Sequence, residues 1–141
     1  MKFTKNAFVD TNILVYAADE TAQADRKRVI ARELLRTPGL RISVQVLNEF
    51  VASARHPRKL ALSEAAEQDW LSAWLRMVVL PLSLSLFSEA LRIHQRYEFS
   101  HWDSLILAAA LASNCPVLYS EDLQHGQNIE ELEIINPFRE E

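Results

Sequence analysis

Short apolar runs alternate along this chain with longer segments of helical periodicity, and this alternation constrains the fold more than any other feature. A strand buried on both faces of a parallel sheet shows as such a continuous run, and parallel strands need helical crossovers between them. The predicted strands lie at residues 7–9, 40–44, 79–82, 116–120 and 132–135. The sequence therefore predicts an α/β fold with a mostly parallel central sheet that helices cover on both faces.

The segments between these strands carry apolar residues three and four positions apart, which predicts amphipathic helices. The first is expected to run from a cap at Thr21 to about Leu35, where a Pro-Gly pair ends it. The helix that opens at Ser100 contains residues 105–111, which are so apolar that this helix must be buried nearly all round. The remaining predicted helices begin at Ser43 or Gln45, at Ser63 and at Leu84.

The length of 141 residues, with 49% apolar and 24% charged residues, is typical of one globular unit. With only two glycines and five prolines, the sequence shows no linker or repeat, so we expect a single domain over residues 1–141. The first apolar run stops at Asp10, which is too short for a signal peptide or a membrane span. A cytoplasmic protein with no membrane contact is expected, and the single cysteine, Cys115, is interpreted as an inert buried thiol.

Four acidic residues stand where strands end or helices begin: Asp10, Glu49, Asp103 and Asp122. Ligands of open α/β sheets bind beyond the carboxyl ends of the strands, so these four side chains are expected to converge on one crevice. Carboxylates within about 4 to 6 Å of one another need a cation or protons to neutralise them. Oxygen ligands without His or Cys favour Mg²⁺ or Mn²⁺, and the sequence therefore predicts a divalent-cation site.

Each acid must be weighed against an ordinary structural role. Asp10 can accept backbone hydrogen bonds in an Asx turn, and Asp122 can cap a helix that follows it. Asp103 can complete a capping box with Ser100. Glu49 lies in an apolar helix with no basic residue within one turn, so its burial would be costly. All these separate roles would have to hold at once for the chain to lack a site.

The net charge of −4 is unfavourable for contacts with a phosphate backbone. However, removing the four candidate acids from the 19 acidic residues leaves 15, which equals the number of Lys and Arg. A bound divalent cation would also favour a phosphate at the site. Basic residues cluster within 26–36 and 55–59, and the simpler interpretation of both clusters is a solvated helix face.

Histidine and tryptophan residues adjoin some of the acids. His101 and His125 are candidates for the rim of the crevice, whereas His94 is expected to be partly exposed on a helix. No pair of histidines has the spacing of a zinc site. Trp74 and Trp102 are interpreted as core or interface packing residues before any stacking role.

Four blocks of sequence surround the candidate acids. They are residues 10–16 (DTNILVY), 43–50 (SVQVLNEF), 102–106 (WDSLI) with the alanine-rich run after it, and 120–126 (SEDLQHG). In this order they resemble the signature blocks of PIN-domain nucleases, most closely the VapC-type toxins of bacterial toxin–antitoxin pairs. The resemblance covers essentially the whole chain, and four ordered blocks are far more specific than any one of them.

The resemblance implies a three-layer α/β/α sandwich and Mg²⁺- or Mn²⁺-dependent endoribonuclease activity on RNA. It also implies a homodimer, inhibition by a small antitoxin protein, and assembly with that antitoxin. Asp10, Glu49 and Asp103 match the metal-binding acids of the family, and Asp122 matches the fourth, although Glu121 beside it stays open for that role. The residues that match hydrogen-bonding supports of the acids are Thr11, Asn12 and Ser120.

Two alternatives from other classes stay open. A catalytically silent module would keep the fold and bind RNA or a protein partner without turnover. A phospho-acceptor or phosphatase domain would use Asp10 as its nucleophile, but that chemistry needs a second neighbouring acid and a lysine near a later strand end. Asp10 has no adjacent acid, and no lysine follows Lys59.

Overall fold

The computed structural model describes residues 2–140. The strands are β1 (Phe8–Val9), β2 (Arg41–Ser43), β3 (Val78–Leu80), β4 (Val117–Tyr119), β5 (Asn128–Ile129) and β6 (Leu132–Ile135). The helices are α1 (Thr11–Ala18), α2 (Asp25–Leu34), α3 (Val44–Arg55), α4 (Glu64–Trp74), α5 (Leu84–Tyr97) and α6 (His101–Ala112). A short 3₁₀ turn, Ala22–Ala24, precedes α2.

The strands form one sheet in the order β3-β2-β1-β4-β6-β5, which is parallel except for β5. The central strand β1 pairs with β2 on one side, where Phe8 lies opposite Arg41, and with β4 on the other, where Phe8 lies opposite Leu118. Helices flank this sheet in a three-layer α/β/α sandwich, so the predicted fold class is confirmed. The chain order reverses between β1 and β4, which is where ligands bind in folds of this kind.

Helix α6 is the most buried helix in the described part of the chain. Every residue from Ser104 to Ala110 is buried, and α6 packs against α5, β2 and β4. The predicted burial of this helix is confirmed. Its only exposed large apolar residue is Trp102, in the first turn, whose side chain is 64% exposed.

The first helix differs from its prediction. The turn expected after β1 is the start of α1, because Asp10 caps Thr11 and the residues after it bury Ile13, Leu14 and Ala17 on one face. The predicted helix from Thr21 to Leu35 begins later, at Asp25, and the side chain of Thr21 makes no capping bond.

Two features near the C-terminal end also differ from the prediction. No helix follows Asp122, so the alternative in which Asp122 caps a helix is excluded. The short strand β5 pairs antiparallel with β6 and was not predicted, because two residues give no periodicity.

Cys115 is buried, as predicted. Among residues 2–140, no helix has the length and apolar character that crossing a bilayer requires.

Candidate active site

A cavity of about 500 Å³ lies beyond the carboxyl ends of the central strands. Asp10 directly follows β1 and Ser120 directly follows β4, and the Asp10 amide donates to the Tyr119 carbonyl at 3.0 Å. The four candidate acids all contribute to the cavity wall. The lining residues are Asp10, Thr11, Asn12, Val15, Tyr16, Gln45, Glu49, Ala52, Ser53, Lys59, Trp102, Asp103, Ile106, Glu121 and Asp122.

Asp10 is the most buried of the four acids, with only 6% of its surface exposed. One carboxylate oxygen accepts a hydrogen bond from the Thr11 amide at 2.7 Å, and the other accepts from the Ser120 hydroxyl at 2.8 Å. Burial raises the pKa of Asp10 to about 6, although these two hydrogen bonds act in the opposite direction. The negative charges of Asp122 and Glu49 add to the increase. Asp10 is therefore a buried carboxylate among like charges.

Glu49 is held from the first turn of α1. The Thr11 hydroxyl donates to a Glu49 carboxylate oxygen at 2.8 Å, which links α1 to α3. Neighbouring residues of α3, such as Val46 and Phe50, face the core, but Glu49 is half-buried at the cavity. Because Glu49 lies on the cavity wall, its carboxylate avoids the free-energy cost of burial that was expected from its apolar helix.

Asp122 is exposed and lies on the loop after β4. Its carboxylate accepts from the Asn12 side-chain amide at 3.2 Å, and its backbone amide donates to the Ser120 hydroxyl oxygen at 3.1 Å. The Asn12 side-chain carbonyl in turn accepts from the Glu121 amide at 3.2 Å. Asn12 and Ser120 therefore tie this loop to the start of α1.

The neighbouring Glu121 has a different environment. Its carboxylate forms an ion pair with Lys27 of α2 and accepts a hydrogen bond from the Tyr16 hydroxyl at 2.6 Å. The hydrogen bond to Glu121 raises the pKa of Lys27, so Lys27 stays protonated near neutral pH. Glu121 therefore already has a cationic partner, whereas the Asp122 carboxylate accepts only from a neutral amide.

Asp103 lies in the first turn of α6. The Ser100 hydroxyl oxygen accepts from the Asp103 amide at 3.1 Å, so half of the predicted capping box is present. The reciprocal bond from the Asp103 carboxylate to the Ser100 amide is absent, and within residues 2–140 that carboxylate has no hydrogen-bond or ion-pair partner. The capping role therefore does not occupy the acid, which is half-buried at the cavity.

Residues 7–128 match the family model described as the PIN domain. The chain belongs to the PIN domain family. Among curated proteins, no significant match to the sequence was found.

Solved structures similar to this PIN domain come from several bacteria. A toxin–antitoxin complex from Klebsiella pneumoniae has a TM-score of 0.69 at 21% identity, covering 93% of this chain and 97% of that one. VapC20 of Mycobacterium tuberculosis, described as a toxin that cleaves the sarcin–ricin loop, has a TM-score of 0.64 at 19% identity, covering 81% and 88%. VapBC2 of Rickettsia felis, bound to a promoter DNA fragment, has a TM-score of 0.60 at 21% identity, covering 91% and 96%. At these identities the likeness establishes the fold.

The donor atoms of this PIN domain suit a hard cation. The cavity wall offers carboxylate, hydroxyl and amide oxygens, and no His or Cys belongs to it. Within residues 2–140, no three of the acidic, His or Cys side chains lie close enough together to enclose a metal ion. The acids share a cavity without forming a closed ligand set, so a cation would have to draw them together or be held partly through water. Mg²⁺ commonly keeps several of its waters in this way.

The two rim histidines of the prediction do not line the cavity. His101 packs edge-on between Phe87 and Trp102, and the His125 ring accepts a hydrogen bond from the Asn136 amide at 3.0 Å. The cavity instead includes two residues that sequence reasoning gave no such role, Lys59 and Trp102. Trp102 adjoins Asp103 in sequence, and that adjacency was the available signal, whereas the signal for Lys59 was the basic cluster at 55–59, which was interpreted as a solvated face.

Proposed function

We propose that this PIN domain is a metal-dependent endoribonuclease and the toxin of a toxin–antitoxin pair. One observation carries the proposal: acids from four separate segments line one cavity, at the edge of a parallel sheet where such folds bind ligands. The VapC toxin and the toxin–antitoxin complexes among the similar structures support it. We further propose that residues 1–141 form a single domain that acts in the cytoplasm as a homodimer and is bound by a small antitoxin.

The proposed metal is Mg²⁺ or Mn²⁺, held by Asp10 and Asp103 with help from Asp122. When bound, such an ion lowers the pKa of its water and offsets charge on the phosphate. The buried Asp10 supports this role, because its carboxylate lies near Glu49 and Asp122 with no cationic partner in residues 2–140. Asp122 is proposed as the fourth acid, in preference to Glu121, because Lys27 already pairs with Glu121.

Glu49 is the proposed base. One of its oxygens accepts from the Thr11 hydroxyl, and the other has no hydrogen-bond partner in the described residues. That oxygen can orient a water molecule and accept its proton as the water attacks phosphorus. A P–O bond forms to the water, the P–O bond to the leaving nucleoside oxygen breaks, and that oxygen takes up a proton. Thr11 fixes the direction of Glu49 in this scheme, and Ser120 fixes that of Asp10.

The test compares cleavage of total cellular RNA by purified protein with Mg²⁺, with EDTA, and by the Asp10→Asn variant. Asp69→Asn is the matched control, because Asp69 is an exposed acid on α4 that does not line the cavity. We expect cleavage with Mg²⁺ by the wild type and by Asp69→Asn, and none with EDTA or by Asp10→Asn. Cleavage by Asp10→Asn at the wild-type rate would contradict the site. RNA binding without cleavage under all conditions would identify a silent module instead.

A further inference from the structure

We propose that Trp102 is a stacking platform for an unpaired RNA base next to the carboxylates. The inference deepens the proposed function, on which it rests, by assigning a substrate-binding residue and a substrate class. Its starting point is that an indole side chain, among the largest apolar groups in proteins, is 64% exposed while it lines the acidic cavity. Core packing does not account for this exposure, and packing at an interface between proteins is the alternative that the experiment below separates.

Trp102 is held in place by its backbone. The side-chain amide of Gln45 donates to the Trp102 carbonyl at 3.1 Å, and Gln45 itself is only 5% exposed. The Ser100 hydroxyl caps the same helical turn through the Asp103 amide. A rigid backbone lets an aromatic ring bind without a large loss of conformational entropy. The position of Trp102 is therefore set before any ligand arrives.

The indole ring has a free surface. Within residues 2–140 its one aromatic neighbour is His101, at 5.5 Å between ring centroids and an interplanar angle of 69°, which is an edge contact. No described residue stacks on Trp102, and no cation lies over it, although Lys27, Arg32 and Arg96 lie over other aromatic rings. Bases of single-stranded nucleic acids stack on exposed aromatic rings of this kind.

Gln45 is fixed in its own orientation by the same hydrogen bond. Its Nε2 must face the Trp102 carbonyl, because only the NH₂ group can donate. The Oε1 atom is then buried without a hydrogen-bond partner in the described residues, and because it is buried a nucleotide in the cavity does not reach it. Gln45 therefore supports the site by holding the Trp102 backbone.

The location and size of the cavity indicate the form of the substrate. Trp102 and Asp103 are consecutive in the first turn of α6, and both line the cavity. A base on the indole therefore belongs to a nucleotide at, or directly beside, the phosphate that meets the acids. The cavity volume of about 500 Å³ suits a ligand of mononucleotide size. A paired base keeps both faces stacked inside its duplex, so the base that binds Trp102 must be unpaired.

The experiment measures the affinity of a fluorescently labelled short single-stranded RNA and of the same strand annealed to its complement. Binding is measured in EDTA and again with Ca²⁺, so that the result does not depend on cleavage. We expect Trp102→Ala to raise the Kd for the single strand on the order of 5- to 150-fold and Trp102→Phe to retain most of the affinity. The duplex is expected to bind more weakly than the single strand. The matched control is Leu84→Ala, which removes another exposed apolar side chain outside the cavity and should leave the Kd unchanged.

Three results would overturn the inference: no binding of the single strand by the wild type, a Kd that Trp102→Ala leaves unchanged, or equal affinity for the duplex. Light scattering tests the alternative that Trp102 lies in an interface between proteins. If Trp102→Ala changes the oligomeric state and leaves the RNA affinity intact, Trp102 belongs to a contact between proteins. The proposed nuclease activity is tested separately, because binding that depends on Trp102 without Mg²⁺-dependent cleavage would refute only the activity.

Discussion

Asp10→Asn is expected to stabilise the metal-free protein while it abolishes the proposed activity. Folding raises the pKa of Asp10 from its ordinary 3.8 to about 6, so the folded state binds this proton more tightly than the unfolded chain does. Asp10 therefore favours the folded state at low pH, and that contribution is lost as the pH rises from about 4 to about 6. At about 1.4 kcal/mol per pH unit, the charged carboxylate costs about 3 kcal/mol in the metal-free protein at pH 8.

The Asn side chain removes this charge but also an interaction. Its oxygen can still accept from the Thr11 amide, whereas its NH₂ group cannot accept from the Ser120 hydroxyl, a loss of about 1 kcal/mol. The variant should therefore exceed the wild type in free energy of unfolding by about 2 kcal/mol at pH 8. Between pH 5 and pH 8 the contribution of Asp10 falls by about 1.4 kcal/mol, so the advantage of the variant should be smaller by that amount at pH 5.

Urea denaturation of both proteins in EDTA, at pH 5 and at pH 8, measures this difference. Titrating groups distant from Asp10 contribute equally to both proteins, so they cancel when the variant is compared with the wild type. Mg²⁺ should then stabilise the wild type at pH 8 and leave Asp10→Asn unchanged. If the difference between the two proteins is independent of pH, or if the variant is the less stable at pH 8, the electrostatic account of Asp10 is wrong.

Three further predictions concern the cavity and the core. Lys59→Gln should raise the KM for RNA several-fold and weaken the salt dependence of that KM, because Lys59 lines the cavity without an ion pair in residues 2–140. The control Arg58→Gln, in the same loop, should change neither quantity. Equal effects of the two substitutions would exclude a specific contact between Lys59 and RNA. Asp122→Asn should lower Mg²⁺-dependent cleavage more than Glu121→Gln does, and the reverse order would transfer the role of fourth acid to Glu121. Leu107→Ala should reduce the free energy of unfolding by about 2–5 kcal/mol in urea denaturation, because Leu107 is fully buried. A loss below about 1 kcal/mol would show that side chains around α6 repack to fill the cavity.

Much of the fold was predictable because the signals are local. The apolar runs around Phe8, Ile42 and Leu118 correspond to strands of the sheet, and the apolar character of residues 105–111 predicted the buried helix. The missed helix α1 shows the limit of such signals. The structural alternative considered for Asp10 was a turn, but the same side chain caps a helix, and the pattern of Ile13, Leu14 and Ala17 distinguishes the two.

The site was predictable at the level of which acids share a cavity. All four candidates line it, although their roles as metal ligands stay a prediction. The sequence could not rank Glu121 against Asp122, because the ion pair to Lys27 joins positions 94 residues apart. The exposure of Trp102 was also unpredictable, because it depends on where the first turn of α6 leaves the core.

The Ser120 hydroxyl donates to the Asp10 carboxylate and accepts from the Asp122 backbone amide. This one hydroxyl group therefore forms hydrogen bonds with two of the four acidic residues. For the proposed toxin, the positions at which a single substitution abolishes toxicity then extend beyond the acids. A selection for harmless alleles should recover changes at Ser120 that leave every carboxylate in place. Pairs of substitutions at Ser120 and Asn12 should also be less damaging than the sum of their separate effects, because both act on the same loop.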